Sequence, residues 1–86
     1  MKFRLTKHAQ EEMRRRKIPE KLLKETLSAP QQVVPGKKGR KVYQSKLDFG
    51  RGKIFLLRAV VADQHDPAVV ITLYRTSKIE KYWRKS

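Results

Sequence analysis

The chain has 86 residues, 22 Lys and Arg against 8 Asp and Glu for a formal net charge of +14, and no cysteine. That length leaves room for one domain, spanning 1–86, with one modest core. The missing thiols exclude disulfides, thiolate zinc sites and cysteine nucleophiles. So much positive charge opposes folding by self-repulsion and exceeds what solubility needs, so it predicts a polyanionic partner, RNA before anything else.

The other partners that charge allows are a membrane surface and an acidic protein. A membrane-tethering helix is disfavoured because no basic segment carries a wide Leu/Phe/Trp face. The opening residues Met1 to His8 hold no apolar stretch of the signal-peptide kind, and no apolar run approaches the length of a membrane span. These features predict a cytoplasmic chain.

Thr6 can cap a first helix, from about Lys7 to Lys17, whose narrow buried stripe is Ala9 and Met13, flanked by Leu5 and Ile18. Pro19 suits the first position of a second helix, Glu20 favours its dipole, Leu22, Leu23 and Leu27 form its apolar face, and Pro30 stops it. The period then changes to two. Gln31 to Val34 is a short extended piece, followed by a basic turn over Pro35–Gly39. From Arg40 to Phe49, Tyr43, Ser45, Leu47 and Phe49 alternate with Val42, Gln44, Lys46 and Asp48, as in a half-exposed strand. Gly50-Arg51-Gly52 makes a hairpin turn, and the apolar run Lys53–Ala62 is the natural sheet centre. After a turn over Asp63–Pro67, Ala68–Arg75 forms the last strand, and Ser77 can cap a short helix through Tyr82-Trp83. The order predicts an α+β fold: two N-terminal helices packed on a small, mostly antiparallel four-stranded sheet, with a short C-terminal helix.

His8 is the first candidate for chemistry. On a helix Arg16 falls about 80° from it and Arg15 nearly below it. Like charge there would favour the neutral imidazole, which suits a general base; the plain alternative is a surface histidine. Arg14, Arg15, Arg16 and Lys17 form a run that either contacts phosphates or is a solvated face. Arg58 interrupts the most apolar strand and must reach solvent, a carboxylate such as Asp48 or Glu80, or a phosphate on an exposed sheet face. Thr72 and Tyr74 share one face of the last strand, Leu73 and Arg75 the other, and Tyr74 offers a general acid or a stacking surface. Tyr82 and Trp83 are either base-stacking rings or a plug for the sheet. Further basic clusters recur at Lys37, Lys38 and Arg40, at Arg51–Lys53 and from Arg75 to Lys85, and Lys46 adds a cation on the central hairpin. Asp63-Gln64-His65-Asp66 contains one histidine in a turn, so neither a metal nor any other cofactor is expected. No P-loop, nucleophile elbow or paired carboxylates occur.

The pattern Thr6-x-His8-Ala9-x-x-x-Met13-x-x-Arg16-x-Ile18 resembles the opening signature of the domain-of-unknown-function family 4258, and Val70–Trp83 is similar to the end of some members. The resemblance covers nearly the whole chain and implies kinship with RelE-like and BrnT-like toxins. In that fold helices cover one face of a small antiparallel sheet, and the other face binds RNA and cuts it without a metal. It implies His8, Arg16, Thr72 and Tyr74 as site residues; Arg58 and Lys46 join them on chemical grounds.

The expected activity is a metal-independent endoribonuclease, the toxin of a toxin–antitoxin pair, acting on RNA such as ribosome-associated mRNA and held by an acidic antitoxin. His8 would assist the 2′-hydroxyl, Arg16 and Arg58 would stabilise the phosphorane, and Tyr74 or Lys46 would protonate the leaving 5′-oxygen. Two other readings stand beside it. One is a non-catalytic nucleic-acid-binding module, and the other is an interaction domain for an acidic protein.

Overall fold

The structure is a computed structural model that describes residues 2–85; Met1 and Ser86 lie outside it. The elements follow the order β1 (Phe3–Leu5), α1 (Lys7–Arg15), α2 (Glu20–Ser28), β2 (Gln32–Pro35), β3 (Lys41–Asp48), β4 (Ile54–Ala62), β5 (Ala68–Thr76) and α3 (Ile79–Tyr82), with a 3-10 turn at Lys37–Gly39. The sheet has five strands in the order β1-β5-β4-β3-β2. The four expected strands are all present and antiparallel, and the apolar run of β4 is central as expected. The expectation of four strands is corrected by β1, which pairs parallel to β5 through Phe3↔Ala68 and Leu5↔Val70. Three residues give too short an alternation to stand out in sequence, and their partners lie at the other end of the chain.

Both helices cover one sheet face, α1 over β5 and β1, α2 over β3 and β4. The core between the layers contains Ala9, Ile18, Leu23, Leu27, Tyr43, Leu47, Leu57, Ala59, Val61, Val70 and Leu73. The first helix ends earlier than expected. Arg16 is its C-cap and Lys17 adopts a left-handed φ of 52°, so the chain turns directly into Ile18-Pro19. Thr6 caps it as expected, its Oγ1 accepting from the Ala9 amide at 3.0 Å, and the same hydroxyl donates to the Ile71 carbonyl at 3.0 Å. One residue therefore fixes the start of α1 and pins it to β5. At the far end, Thr76 rather than Ser77 supplies the side-chain contact, accepting from the Lys78 amide at 3.0 Å.

β3 is buried on both faces over Val42–Ser45, not half-exposed as its alternation suggested. Tyr43 and Leu47 face the helices, while Val42 and Gln44 lie on the other face beneath the C-terminal segment and the β2–β3 connection. Tyr43 donates to Asp63 Oδ2 at 3.1 Å, and burial, ahead of the carboxylate beside it, pushes its phenol above the ordinary tyrosine value.

β5 carries the feature that decides the opposite face. Its register with β4 shifts between Val60 and Val61: Val60 pairs with Thr72, but Val61 pairs with Val70, leaving Ile71 as the extra residue of a bulge. Before the bulge Ala68 and Val70 point to the helices; after it Leu73 does. A bulge inverts the alternation, so Thr72 and Tyr74 turn to the face that α1 and α2 leave open.

Candidate nucleic-acid interface

The open face is built from Gln32 on β2, Val42, Gln44 and Lys46 on β3, Arg58 and Val60 on β4, and Thr72 and Tyr74 on β5, all placed there by the cross-strand register. Arg58 sits at its centre. Its Nε donates to Gln44 Oε1 at 2.9 Å and its Nη1 donates to the Tyr74 hydroxyl at 2.6 Å. The Tyr82 ring lies against the guanidinium, with Cζ 4.2 Å from the ring centroid. The arginine thus satisfies its burial through neutral partners. Neither Asp48 nor Glu80, the carboxylates expected as its bland partners, pairs with it; Asp48 accepts from the Gly50 amide and Glu80 meets Lys85. Burial is the first cause that raises the Tyr74 phenol above its ordinary value, opposed by the Arg58 hydrogen bond and charge, so the group keeps its proton at neutral pH. Tyr82, which packs edge-on against Tyr74 with centroids 6.2 Å apart, is shifted down, first by its hydrogen bond with Tyr74.

His8 reaches the same face from its rim. Its Nε2 lies 3.2 Å from the Thr72 hydroxyl, a contact whose donor depends on the imidazole tautomer. The Thr6 cap brings it there, because a helix starting at Lys7 beside Ile71 must lay its second residue next to Thr72. The arginines expected to crowd His8 are instead compensated. Arg15 donates to both Glu12 carboxylate oxygens, at 2.9 and 2.7 Å, and Arg16 Nε donates to Glu12 Oε1 at 2.9 Å. Hydrogen bonds from Arg15 first, then Arg16, hold the Glu12 carboxyl down at about 2. Arg16, expected to stabilise the phosphorane, stands on α1 as one arm of this paired cluster, its side chain still partly exposed.

Lys37 and Arg40 join the face at its other end. With Gly36, Val42, Arg58 and Val60 they line a cleft of about 530 Å³. Gly36 closes that corner: its amide donates to the Arg40 carbonyl at 2.7 Å, and a Cβ there would lie only 3.0 Å from the same oxygen. Lys38 sits in the 3-10 turn with a left-handed φ of 57°. Lys46 holds its ammonium 4.0 Å above the centroid of Trp83.

Three expected contacts are not part of this site. Arg14 lines a separate groove of about 440 Å³ between the helices, with Phe3, Leu5, Met13, Ile18 and Leu23. Lys17 lies in the α1–α2 turn. Arg75 pairs with Leu57 on the helix-side face and stacks on Phe49 and Phe55, 4.9 Å from each ring centroid. Two residues the sequence did not single out belong to the site. Gln44, with no exposed surface, orients Arg58 and donates to Gln32 Oε1 at 2.8 Å and to the Tyr82 carbonyl at 3.3 Å. Gln32 donates to the Arg84 carbonyl at 2.6 Å and accepts from its amide at 3.1 Å. A glutamine facing an arginine across a strand pair is a signal only once the register is known.

Among the described residues no cluster of three or more His, Cys, Asp and Glu side chains could hold a metal, and no helix is long and apolar enough to cross a membrane. The fold and site define a small mixed α+β domain with one sheet face covered by helices and the other carrying a central arginine. The chain belongs to the family described as domain of unknown function (DUF4258), which matches residues 5–75. The match contains His8, Arg16, Lys46, Arg58, Thr72 and Tyr74 and ends before α3, Tyr82 and Trp83. Comparison with curated proteins gives no match, and neither does comparison with solved structures.

Proposed function

We propose that the open sheet face binds RNA and cleaves it by attack of a 2′-hydroxyl on its own phosphodiester. The observation that carries this reading is the convergence of His8 from α1 with Arg58 and Tyr74, opposite each other on β4 and β5, on one face beside the basic cleft. Thr72 and Tyr74 lie two residues apart on one strand face, about 7 Å along the strand, so a phosphate between them can be flanked by a base and an acid. The His8 imidazole takes the 2′-hydroxyl proton, and the 2′-oxygen bonds to phosphorus. Arg58 holds the charge that develops on the non-bridging oxygens. Tyr74, kept protonated by its burial, gives its proton to the departing 5′-oxygen as the P–O5′ bond breaks. The products are a 2′,3′-cyclic phosphate and a free 5′-hydroxyl. Lys37 and Arg40 contact flanking phosphates. The setting that fits is a cytoplasmic toxin of RelE-like or BrnT-like fold, neutralised by an acidic antitoxin and acting on mRNA; the mixed sheet with helices on one face is compatible with that kinship. Incubating RNA with the protein in EDTA tests the reading. Cyclic-phosphate ends are expected from the wild type and not from His8→Ala or Arg58→Ala, and their absence from all three would refute cleavage.

A second reading, a non-catalytic RNA-binding module, is favoured by one observation: Arg58 is already held by Gln44, Tyr74 and the Tyr82 ring. Salt-dependent binding without cleavage would select it.

A further inference from the structure

The C-terminal segment is seated on the open face as a ligand would be. Tyr82 lays its ring on the Arg58 guanidinium at 4.2 Å, and Trp83 lays its ring under the Lys46 ammonium at 4.0 Å. Between and beyond the rings the backbone is gripped by amides: Gln44 Nε2 donates to the Tyr82 carbonyl, and Gln32 both donates to the Arg84 carbonyl and accepts from the Arg84 amide. Lys46 and Arg58 stand as diagonal neighbours across β3 and β4, because Gln44 is the residue opposite Arg58. Diagonal side chains are about 7–8 Å apart, a span that adjacent nucleotides of an unstacked strand can bridge. A cation beneath a ring face, with amides reading the linking backbone, recognises a planar aromatic group on a flexible chain. The cations and Gln32 and Gln44 lie within the family-matched range, whereas the rings that fill the places lie wholly outside it.

We infer that the face of the Arg58 guanidinium, whose N–H edge serves the phosphate, and the Lys46 ammonium form two adjacent nucleobase subsites for single-stranded RNA, and that the Tyr82–Arg84 segment is a resident stand-in that RNA displaces. This rests on the RNA reading above and narrows its ligand to unpaired strands, since a duplex buries the ring faces these cations would meet. It also sets a cost on binding: the apparent Kd is the intrinsic Kd divided by the fraction of molecules whose tail is lifted.

Trp83 is the sole tryptophan of the chain, so its emission reports the tail directly. Full-length protein would be titrated with a short oligouridylate and, separately, with an RNA duplex of the same length, while anisotropy of labelled RNA measures binding. Oligouridylate is expected to shift Trp83 emission to that of a solvent-exposed indole, and the duplex to leave it in place. Tyr82→Ala and Trp83→Ala, which each remove one resident ring, are each expected to tighten oligouridylate binding, by about tenfold if the tail is down nine-tenths of the time. Binding that leaves Trp83 emission unshifted, or weaker binding by both variants, overturns the displacement and makes the rings part of the platform. An equal shift with duplex overturns the single-strand assignment. No binding by wild type or either variant overturns the RNA reading itself, an outcome distinct from the others.

Discussion

Thr6 offers the sharpest test of how the site is assembled. Its hydroxyl accepts from the Ala9 amide and donates to the Ile71 carbonyl, both at 3.0 Å, so one oxygen caps α1 and ties it to the bulge of β5. Thr6→Val keeps the shape and removes both bonds. Loss of an N-cap costs about 1 kcal/mol. Loss of the bond to a partly buried carbonyl costs about another 1 kcal/mol. The sum of about 2 kcal/mol corresponds to a fall in Tm of about 8–16 °C for a domain of this size. Thr6→Ser keeps the oxygen and is expected to stay within about 0.5 kcal/mol of the wild type, as surface changes that spare such contacts do. Urea denaturation followed by far-UV circular dichroism measures both. The reasoning fails if Thr6→Val costs less than about 0.5 kcal/mol, or if Thr6→Ser costs as much as Thr6→Val. Because this hydroxyl is one of the ties that hold the start of α1, and with it His8, against β5, Thr6→Val is also expected to lower RNA cleavage by more than Thr6→Ser does.

Gln44→Leu fills the same buried space but strips Arg58 of its Nε acceptor and the Tyr82 carbonyl of a donor, and is expected to cost about 2–3 kcal/mol, read by thermal melting. Glu12 is held down to about 2 from 4.5 by Arg15 and Arg16, so its contribution to stability is complete above pH 4.5 and lost as pH falls toward 2; Glu12→Gln should remove that part of the acid transition, and NMR titration of the carboxyl checks the value. Tyr74→Phe deletes the proposed acid and one Arg58 partner and is expected to lower cleavage by about 10²–10⁴-fold, with affinity in filter binding changing far less. Lys37→Ala and Arg40→Ala are each expected to reduce the salt slope of RNA binding by about 1, whereas Arg75→Ala, on the helix-side face, should leave it unchanged.

The local elements were legible because their signals are local. Thr6, Pro19 and Pro30 bound the helices, Gly50-Arg51-Gly52 turns the hairpin with three successive positive φ angles, and the apolar run of β4 could only be central. The excess of cations and the sharing of one strand face by Thr72 and Tyr74 are equally legible, and motif and chemistry single out His8, Arg16, Arg58 and Tyr74 as candidates. What the sequence by itself left open was everything that depends on pairing across the chain. A three-residue β1 is defined only by its partner, β5. The bulge at Ile71 chooses which face Thr72 and Tyr74 share, because one extra residue inverts a period of two. The same distances sorted the cations. Arg15 and Arg16 are spent on Glu12, Arg14 and Arg75 lie on the helix side, and Arg58 alone stands at the centre of the open face, held by a glutamine whose importance depends on the strand opposite it. Composition sets the sign of the protein's field, but only register decides which charges meet a ligand, since side chains far apart in sequence become neighbours through backbone hydrogen bonds that no local pattern records.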